Sequence, residues 1–198
     1  MLSRSLRAAL LLTVLAALVA PAAAVAATQI FHRFEADATA NFTVTQTCAD
    51  GSTVQQRVTV IGGHEEESEN GTTTLDSDFV TLLIRGFDCE GNFVNDRGSG
   101  PAEFTLSPSL QTATVEGTVV LRSGSVATVD VTFEGTGELR TTSNTTTFPG
   151  FTGHFVARER DAVATGTVVV DGETLVDGST TNASIETLED TNISTGAA

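Results

Sequence analysis

Residues 112–142 alternate apolar and polar side chains almost without interruption. Successive side chains of a β-strand point to opposite faces, so a period of two indicates strands, whereas an amphipathic helix needs a period near 3.6. The sequence RSGS at residues 122–125 divides the segment and predicts a β-hairpin. The face expected to contact a core consists of Ala113, Val115, Gly117, Val119 and Leu121 on the first strand and Ala127, Val129, Val131, Phe133 and Gly135 on the second.

The same period recurs along the rest of the chain. Residues 38–48 and 52–63 alternate in this way, and residues 78–89 are apolar on both faces, as in a covered central strand. About eight to ten such strands predict an all-β fold: a single antiparallel β-sandwich of jelly-roll or immunoglobulin-like type, with a closed antiparallel β-barrel as the alternative. The immunoglobulin form is less favoured, because the chain has no tryptophan to pack on a disulfide.

Residues 1–26 have the layout of a secretory signal peptide. Two arginines form a basic start, and the uncharged apolar run that follows suits a signal helix but is too short to span a bilayer. Small residues then form an A-x-A site, which predicts cleavage between Ala26 and Ala27, with cleavage after Ala24 or Ala27 fitting nearly as well. An uncleaved N-terminal anchor is the alternative interpretation.

The remaining residues, 27–198, are expected to form one β-sandwich domain with a flexible C-terminal tail at about 186–198. The C-terminal sequence has neither a hydrophobic run nor a basic stop, so we expect no stable membrane anchor once the signal is removed. These features predict a secreted, extracellular protein.

The charge of the chain narrows the range of partners. Ten arginines stand against 25 acidic residues, lysine is absent, and the formal net charge is −15. A chain this acidic repels phosphate backbones, which argues against nucleic-acid binding. Self-repulsion also favours solubility, and we expect a monomer.

Cys48 and Cys89 are the only cysteines. In an exported chain an even number of cysteines indicates disulfides, and two cysteines allow a single pairing. A redox-active pair of thiols is the alternative, but the C-x-x-C spacing of such sites is missing. We therefore predict a structural disulfide between Cys48 and Cys89.

His64 begins the sequence HEEESENG, which is similar to the start of the zinc motif H-E-x-x-H. The second histidine of that motif is replaced by Ser68, so no zinc site is expected. Two preceding glycines favour a solvated acidic loop, and a weak Ca²⁺ site is the functional alternative because clustered carboxylates supply oxygen ligands. The candidate ligands are Glu65, Glu66, Glu67 and Glu69.

A second acidic segment contains Asp88, Glu90 and Asn92, which have the spacing of the first ligands of a calcium loop. The glycine and the glutamate that such a loop needs are replaced by Phe93 and Ser99. The segment is therefore predicted to be a hairpin tip.

The sequence contains no catalytic motif of the nucleophile type, because it has no G-x-S-x-G and both cysteines are assigned to a disulfide. His32 and His154 are isolated, and the neighbours Phe151 and Phe155 predict that His154 lies on the outer side of its strand. A hydrolase that uses a pair of carboxylates stays open among the 25 acids. The lack of tryptophan and tyrosine argues against a sugar site, where such rings stack and hydrogen-bond.

A family resemblance is carried by five segments, in the order NFTVTQTCADGSTVQQRVTV, LLIRGFDCEGN, AEFTLSPSLQTATVEGTVVL, VATVDVTFEGTGELRTT and ARERDAVATGTVVVDG. In these segments the chain resembles a group of uncharacterised secreted β-rich proteins from actinobacteria and other bacteria. The resemblance covers most of the chain after the signal, with the cysteines in like places. Such proteins often have tryptophan and tyrosine at the positions of Phe133 and Phe87. The resemblance implies an exported β fold and brings no known activity, because its motifs are strands and turns.

These observations predict a secreted, non-enzymatic β-sandwich module with a structural, adhesive or accessory role at the cell exterior. The alternatives are an extracellular hydrolase with an acidic pair and a weak calcium-dependent binding protein. No cofactor is expected, apart from the Ca²⁺ of the last alternative.

Overall fold

A computed structural model describes residues 27–195, which form eight β-strands and no helix. The strands are β1 (Thr28–Thr47), β2 (Thr53–Glu69), β3 (Thr72–Phe87), β4 (Phe93–Leu106), β5 (Thr112–Val120), β6 (Val126–Phe148), β7 (Phe151–Val170) and β8 (Glu173–Thr195). Each strand pairs antiparallel with the next one in the chain. The prediction of an all-β antiparallel fold is confirmed.

The eight strands form one sheet that closes on itself. β1 pairs with β8, from Thr28 opposite Thr195 to Ala40 opposite Ala183, which makes a closed barrel with its strands in chain order. The preferred prediction of two packed sheets is therefore corrected to a single closed sheet, the arrangement given as the alternative. The alternation of apolar and polar residues cannot distinguish a sandwich from a barrel, because both bury one face of every strand. Closure of the barrel also pairs the two edge strands, which an open sheet leaves exposed.

The core lies inside the barrel and takes alternate residues from the strands. In the hairpin formed by β5 and β6, the side chains expected to face the core are buried, and Val115, Val119, Val131 and Phe133 have no exposed surface. The threonines and acids between them are exposed. Burial of each large apolar side chain stabilises the fold by about 1.5–3 kcal/mol relative to exposure. The predicted hairpin and its core face are confirmed.

Opposite walls of the barrel touch at Gly62 of β2 and Val115 of β5. A Cβ atom built on Gly62 would lie 2.1 Å from Cγ2 of Val115, which is far inside van der Waals contact. With only hydrogen at Gly62, Val115 reaches across the interior and packs on the β2 backbone. Side chains therefore close the barrel interior at this level.

Residues 95–101, NDRGSGP, have the composition of a turn but lie in β4. Gly98 and Gly100 explain the difference. A Cβ atom at Gly98 would lie 2.2 Å from the carbonyl oxygen of Val120, and one at Gly100 would lie 2.1 Å from that of Thr118. The glycines allow β4 to pass close to the backbone of β5, which is a common role of glycine inside a strand.

The disulfide between Cys48 and Cys89 is present, with an S–S distance of 2.06 Å. It joins the turn after β1 to the turn after β3. In the second turn, Oδ1 of Asp88 accepts hydrogen bonds from the backbone N–H groups of Glu90, at 3.0 Å, and Asn92, at 2.7 Å. Side-chain and backbone hydrogen bonds from Asn92 also lower the pKa of Asp88. The predicted disulfide and the predicted hairpin tip are both confirmed.

The predicted signal peptide, residues 1–26, and Ala26 of its cleavage site lie outside the described residues. The sequence predicts a flexible tail from about residue 186, but residues 186–195 belong to β8 and pair with β1 and β7. Within residues 27–195, no helix is long and apolar enough to cross a membrane.

Candidate functional site

The two ends of the barrel differ in construction. The closed end carries the disulfide and the turns after β1, β3, β5 and β7. At the open end, β5 begins at Thr112 opposite Glu134, whereas β6 continues to Phe148 and pairs there with Phe151. The wall formed by β4 and β5 is therefore lower than its neighbours, and the barrel interior opens above it.

The turn between β4 and β5, residues 107–111, folds inward and forms the floor of the open end. The hydroxyl of Ser107 accepts hydrogen bonds from the N–H groups of Gln111 and Thr112, both at 2.9 Å. Leu110 has φ of 53°, a left-handed conformation that is unfavourable for a bulky side chain, yet its side chain is only 1% exposed. Burial of Leu110 in the core offsets the cost of this backbone conformation.

A cavity of about 400 Å³ lies above this floor, inside the open end. Its apolar lining consists of Phe34, Ala36, Phe104, Leu106, Pro108 and Leu110. Three polar side chains also reach it, namely His64, Arg158 and Thr187. A concave, mostly apolar site of this size with a few polar groups is typical of a small-molecule binding site.

His64 and Asp78 form a hydrogen-bonded pair in the cavity wall. Nδ1 of His64 lies 2.8 Å from Oδ1 of Asp78, and both side chains are partly buried. Oδ2 of Asp78 accepts a hydrogen bond of 3.2 Å from the backbone N–H of Phe104, just beyond the point where the ladder between β3 and β4 ends. Because the carboxylate accepts, Nδ1 of His64 donates, and Nε2 takes no part in this bond. The pair thus fixes the orientation and the tautomer of His64.

Arg158 and Arg160 lie on the interior-facing side of β7, in phase with the buried Ala162 and Ala164. Arg158 lines the cavity, level with Thr187 of β8. Arg160 lies one step deeper: a Cβ atom built on Gly135 would meet both Cδ of Arg160, at 2.5 Å, and the carbonyl oxygen of Leu110, at 2.3 Å. The stem of Arg160 therefore packs beside the cavity floor.

His32 and His154 flank Thr191 on the three neighbouring strands β1, β8 and β7. Nδ1 of His32 is 3.0 Å from the hydroxyl of Thr191, and Nδ1 of His154 is 3.0 Å from that of Thr145. The alternation that buries Ala162 places His154 on the interior-facing side, so the prediction of an outer position is corrected. The aromatic neighbours of His154, which suggested the opposite face, are on the outside of the barrel.

The four glutamates considered as calcium ligands do not converge. β2 continues through Gly63 to Glu69, so the predicted acidic loop is a strand whose side chains alternate. Glu66 faces the interior side, whereas Glu65 and Glu67 face outward, and Glu67 lies 3.5 Å from Nε of Arg33. Across residues 27–195, no three His, Cys, Asp or Glu side chains are grouped so that they could hold a metal ion.

Asp37 is on the outer face of the same region, opposite Gly63 of β2. Burial raises its pKa from the ordinary 3.8 to about 6, and the negative charges of Glu35, Glu186 and Glu65 act in the same direction. Between these two pH values the folded chain holds a proton that the unfolded chain has released, so stability falls as the pH rises through this window.

Replacement of Asp37 by Asn is therefore expected to stabilise the protein at pH 7.5 by about 1 kcal/mol, after allowance for solvent screening, and to have little effect at pH 4. Urea unfolding of both proteins at the two pH values measures the difference. Asp177→Asn, an exposed change on β8, is the control for loss of one negative charge. An equal gain in both variants at pH 7.5 would show that net charge, rather than the site of Asp37, is responsible.

Apart from His64, which begins an incomplete zinc motif, no cavity residue belongs to a sequence motif, but the polar ones carry a signal in their alternation. His64 continues the interior phase of Val58 and Val60, and Asp78 continues that of Val80 and Leu82. A polar residue that continues the core-facing alternation at the end of a strand indicates that the interior is polar at that end. The strands that bring such residues together are known only from the register of the barrel.

Comparisons of the chain with protein-family models, with curated proteins and with solved structures gave no match. The architecture defines its class: an eight-stranded antiparallel barrel that holds a ligand-sized cavity at its open end.

Proposed function

We propose that this protein is an extracellular binding protein that holds one small, mainly apolar molecule in the open end of its barrel. The cavity of about 400 Å³ is the observation that carries the proposal. An eight-stranded barrel is just wide enough for side chains to fill it or for one small ligand to occupy it. In this chain the mostly apolar space above Leu110 is the place that we propose for such a ligand.

The extracellular location is supported by two independent features. A structural disulfide persists in oxidising compartments and is rare in the cytosol. The sequence of residues 1–26 has the order of charged, apolar and small residues that directs export. The acidic surface suits a soluble monomer, which is the state we propose.

Binding without chemistry is proposed because the polar groups of the cavity are suited to orienting a ligand. His64 is held by Asp78 and offers a single hydrogen-bonding nitrogen to a ligand. Among the residues that line the cavity, none is a serine or cysteine nucleophile. A bound ester should therefore stay intact, and p-nitrophenyl decanoate should be hydrolysed no faster by the protein than by its His64→Gln variant.

A single tryptophan offers a direct test, because the chain has neither tryptophan nor tyrosine. In the Phe34→Trp variant, the neutral probe N-phenyl-1-naphthylamine is expected to quench tryptophan emission by energy transfer and to saturate at one equivalent. Thr187→Phe in the same background fills the cavity and should weaken binding at least tenfold. Thr165→Phe, an exposed change on the outer face of β7, should leave the affinity unchanged. Equal affinity in all three proteins would overturn the proposal.

A further inference from the structure

We infer that the ligand of the cavity carries an anionic head group, and that Arg158 and Arg160 bind this group while the apolar lining holds the rest of the molecule. The inference rests on the proposed function and names the class of ligand: a molecule with an apolar body and a carboxylate or a similar oxyanion. The two arginines support it by their position on β7 and by the lack of a carboxylate partner within the described residues.

Arg158 and Arg160 occupy neighbouring interior-facing positions on β7. Strand geometry places residues i and i+2 on one face about 7 Å apart. Arg158 lines the cavity, and the stem of Arg160 packs beside its floor. Arg158 thus brings a guanidinium group to one side of the mostly apolar cavity, and Arg160 lies next to it on the same face of β7.

The two arginines lack an acidic partner within the described residues. Nε of Arg160 is buried and has no hydrogen-bond acceptor within residues 27–195. No carboxylate oxygen of the described chain lies within 4.0 Å of either arginine, whereas Arg140 on the outer face is bound by both Glu159 and Asp161. A guanidinium group that no carboxylate of the described chain neutralises is available to an oxyanion, and hydrogen bonds to charged groups are stronger than those between neutral groups. Guanidinium groups are suited to bind carboxylates with two parallel hydrogen bonds.

The other charges that face the interior of the open end come from acidic side chains. The interior-facing acids Glu66, Asp76 and Asp78 lie on β2 and β3, across the opening from β7, and Asp78 is engaged with His64. On the interior-facing side, Glu189 of β8 is the acid nearest in register to Arg158, two pairs further toward the rim. The β7 wall is therefore the positive side of the cavity. Because the chain as a whole has a net charge of −15, a preference for anions must come from this wall.

The test compares decanoate with decan-1-ol, which have the same chain and differ in the charge of the head group. Each is used to displace N-phenyl-1-naphthylamine from the protein at pH 8. Decanoate should bind at least tenfold more tightly than decan-1-ol, because hydrogen bonds to charged groups are the stronger ones. Its advantage should shrink as salt is added, since salt screens exposed charges, whereas the affinity for decan-1-ol should not fall.

Two variants locate the effect. Arg158→Gln and Arg160→Gln should each weaken decanoate binding about tenfold and leave decan-1-ol binding within about twofold. Arg57→Gln, on the outer face of β2, is the matched control and should change neither affinity. Arg158 is exposed, so its replacement should not prevent folding, and the melting temperature of each variant verifies this.

The outcomes separate the two proposals. If the neutral probe and decan-1-ol bind but decanoate binds no better, or if both arginine variants leave its affinity unchanged, the anionic ligand class is overturned and the binding function stands. If neither the probe nor decan-1-ol binds, the proposed function fails, and the ligand class fails with it.

Discussion

Replacement of both cysteines, in the Cys48→Ala/Cys89→Ala variant, is expected to lower the free energy of unfolding by about 4 kcal/mol. The bond links positions 41 residues apart, and a cross-link of that span removes entropy from the unfolded chain by roughly this amount. For a domain of this size the melting temperature should fall by roughly 10 °C. Urea unfolding and thermal melting monitored by circular dichroism measure both quantities.

The unmodified protein provides the control for this experiment. Addition of a reducing agent should lower its stability to that of the double variant and should have no effect on the variant. Because the disulfide is at the closed end, the affinity of the folded variant for N-phenyl-1-naphthylamine at 20 °C should equal that of the parent protein. A reduced protein that melts within about 2 °C of the oxidised one would contradict the prediction.

The predictable part of the fold is the part that depends on local alternation. The faces of β5 and β6 follow from the order of Val, Ala, Thr and Glu, because each strand buries one side whatever its partners are. Closure of the sheet depends instead on the pairing of Thr28–Ala40 with the last strand, more than 140 positions away. No local pattern encodes that contact, so sandwich and barrel could not be separated.

Glycine explains two of the differences at element boundaries. Gly98 and Gly100 suggest a turn by composition, but in β4 they are the positions where the neighbouring backbone comes close. Gly63, beside the acidic run, indicated a loop, yet a Cβ atom there would lie 2.5 Å from Oδ1 of Asp37 on the neighbouring strand. In both places glycine gives room to a neighbour across the sheet, and the identity of that neighbour is set by the register.

The candidate site could be found only after the register was known. Phe34, His64, Arg158 and Thr187 come from four strands and are separated by long stretches of chain, so no motif joins them. The barrel aligns them, because His64 pairs with Ala36, Ala36 with Thr187, and Thr187 with Arg158. One row of laterally adjacent residues thus crosses the cavity wall from the histidine to the arginine.

The division of the barrel also explains why binding and stability can be tested separately. The closed half contains Leu82 and many of the valines that make up most of the core. The cavity half has polar interior side chains and a wall that is low at β4 and β5. A change in the closed half should therefore alter stability with little effect on affinity, whereas a change at the floor should alter both.

Leu110→Ala is the change at the floor, and it is expected to lower the free energy of unfolding by about 2–4 kcal/mol, the cost of removing a buried leucine side chain. The alanine keeps the left-handed backbone of the turn, so no strain is relieved in return. The space left by the side chain joins the cavity, which Leu110 lines. The variant should therefore shift its preference from decan-1-ol toward dodecan-1-ol, because each additional buried methylene group contributes about 0.8 kcal/mol.

Leu121→Ala is the matched control, because Leu121 is also buried but lies in the turn between β5 and β6 at the closed end. It should lose a similar amount of stability in urea unfolding and keep the chain-length preference of the parent protein. The ratio of the two alcohol affinities, measured by displacement of N-phenyl-1-naphthylamine, separates the variants. A ratio that changes equally in both, or in neither, would show that Leu110 is not the floor of the binding site.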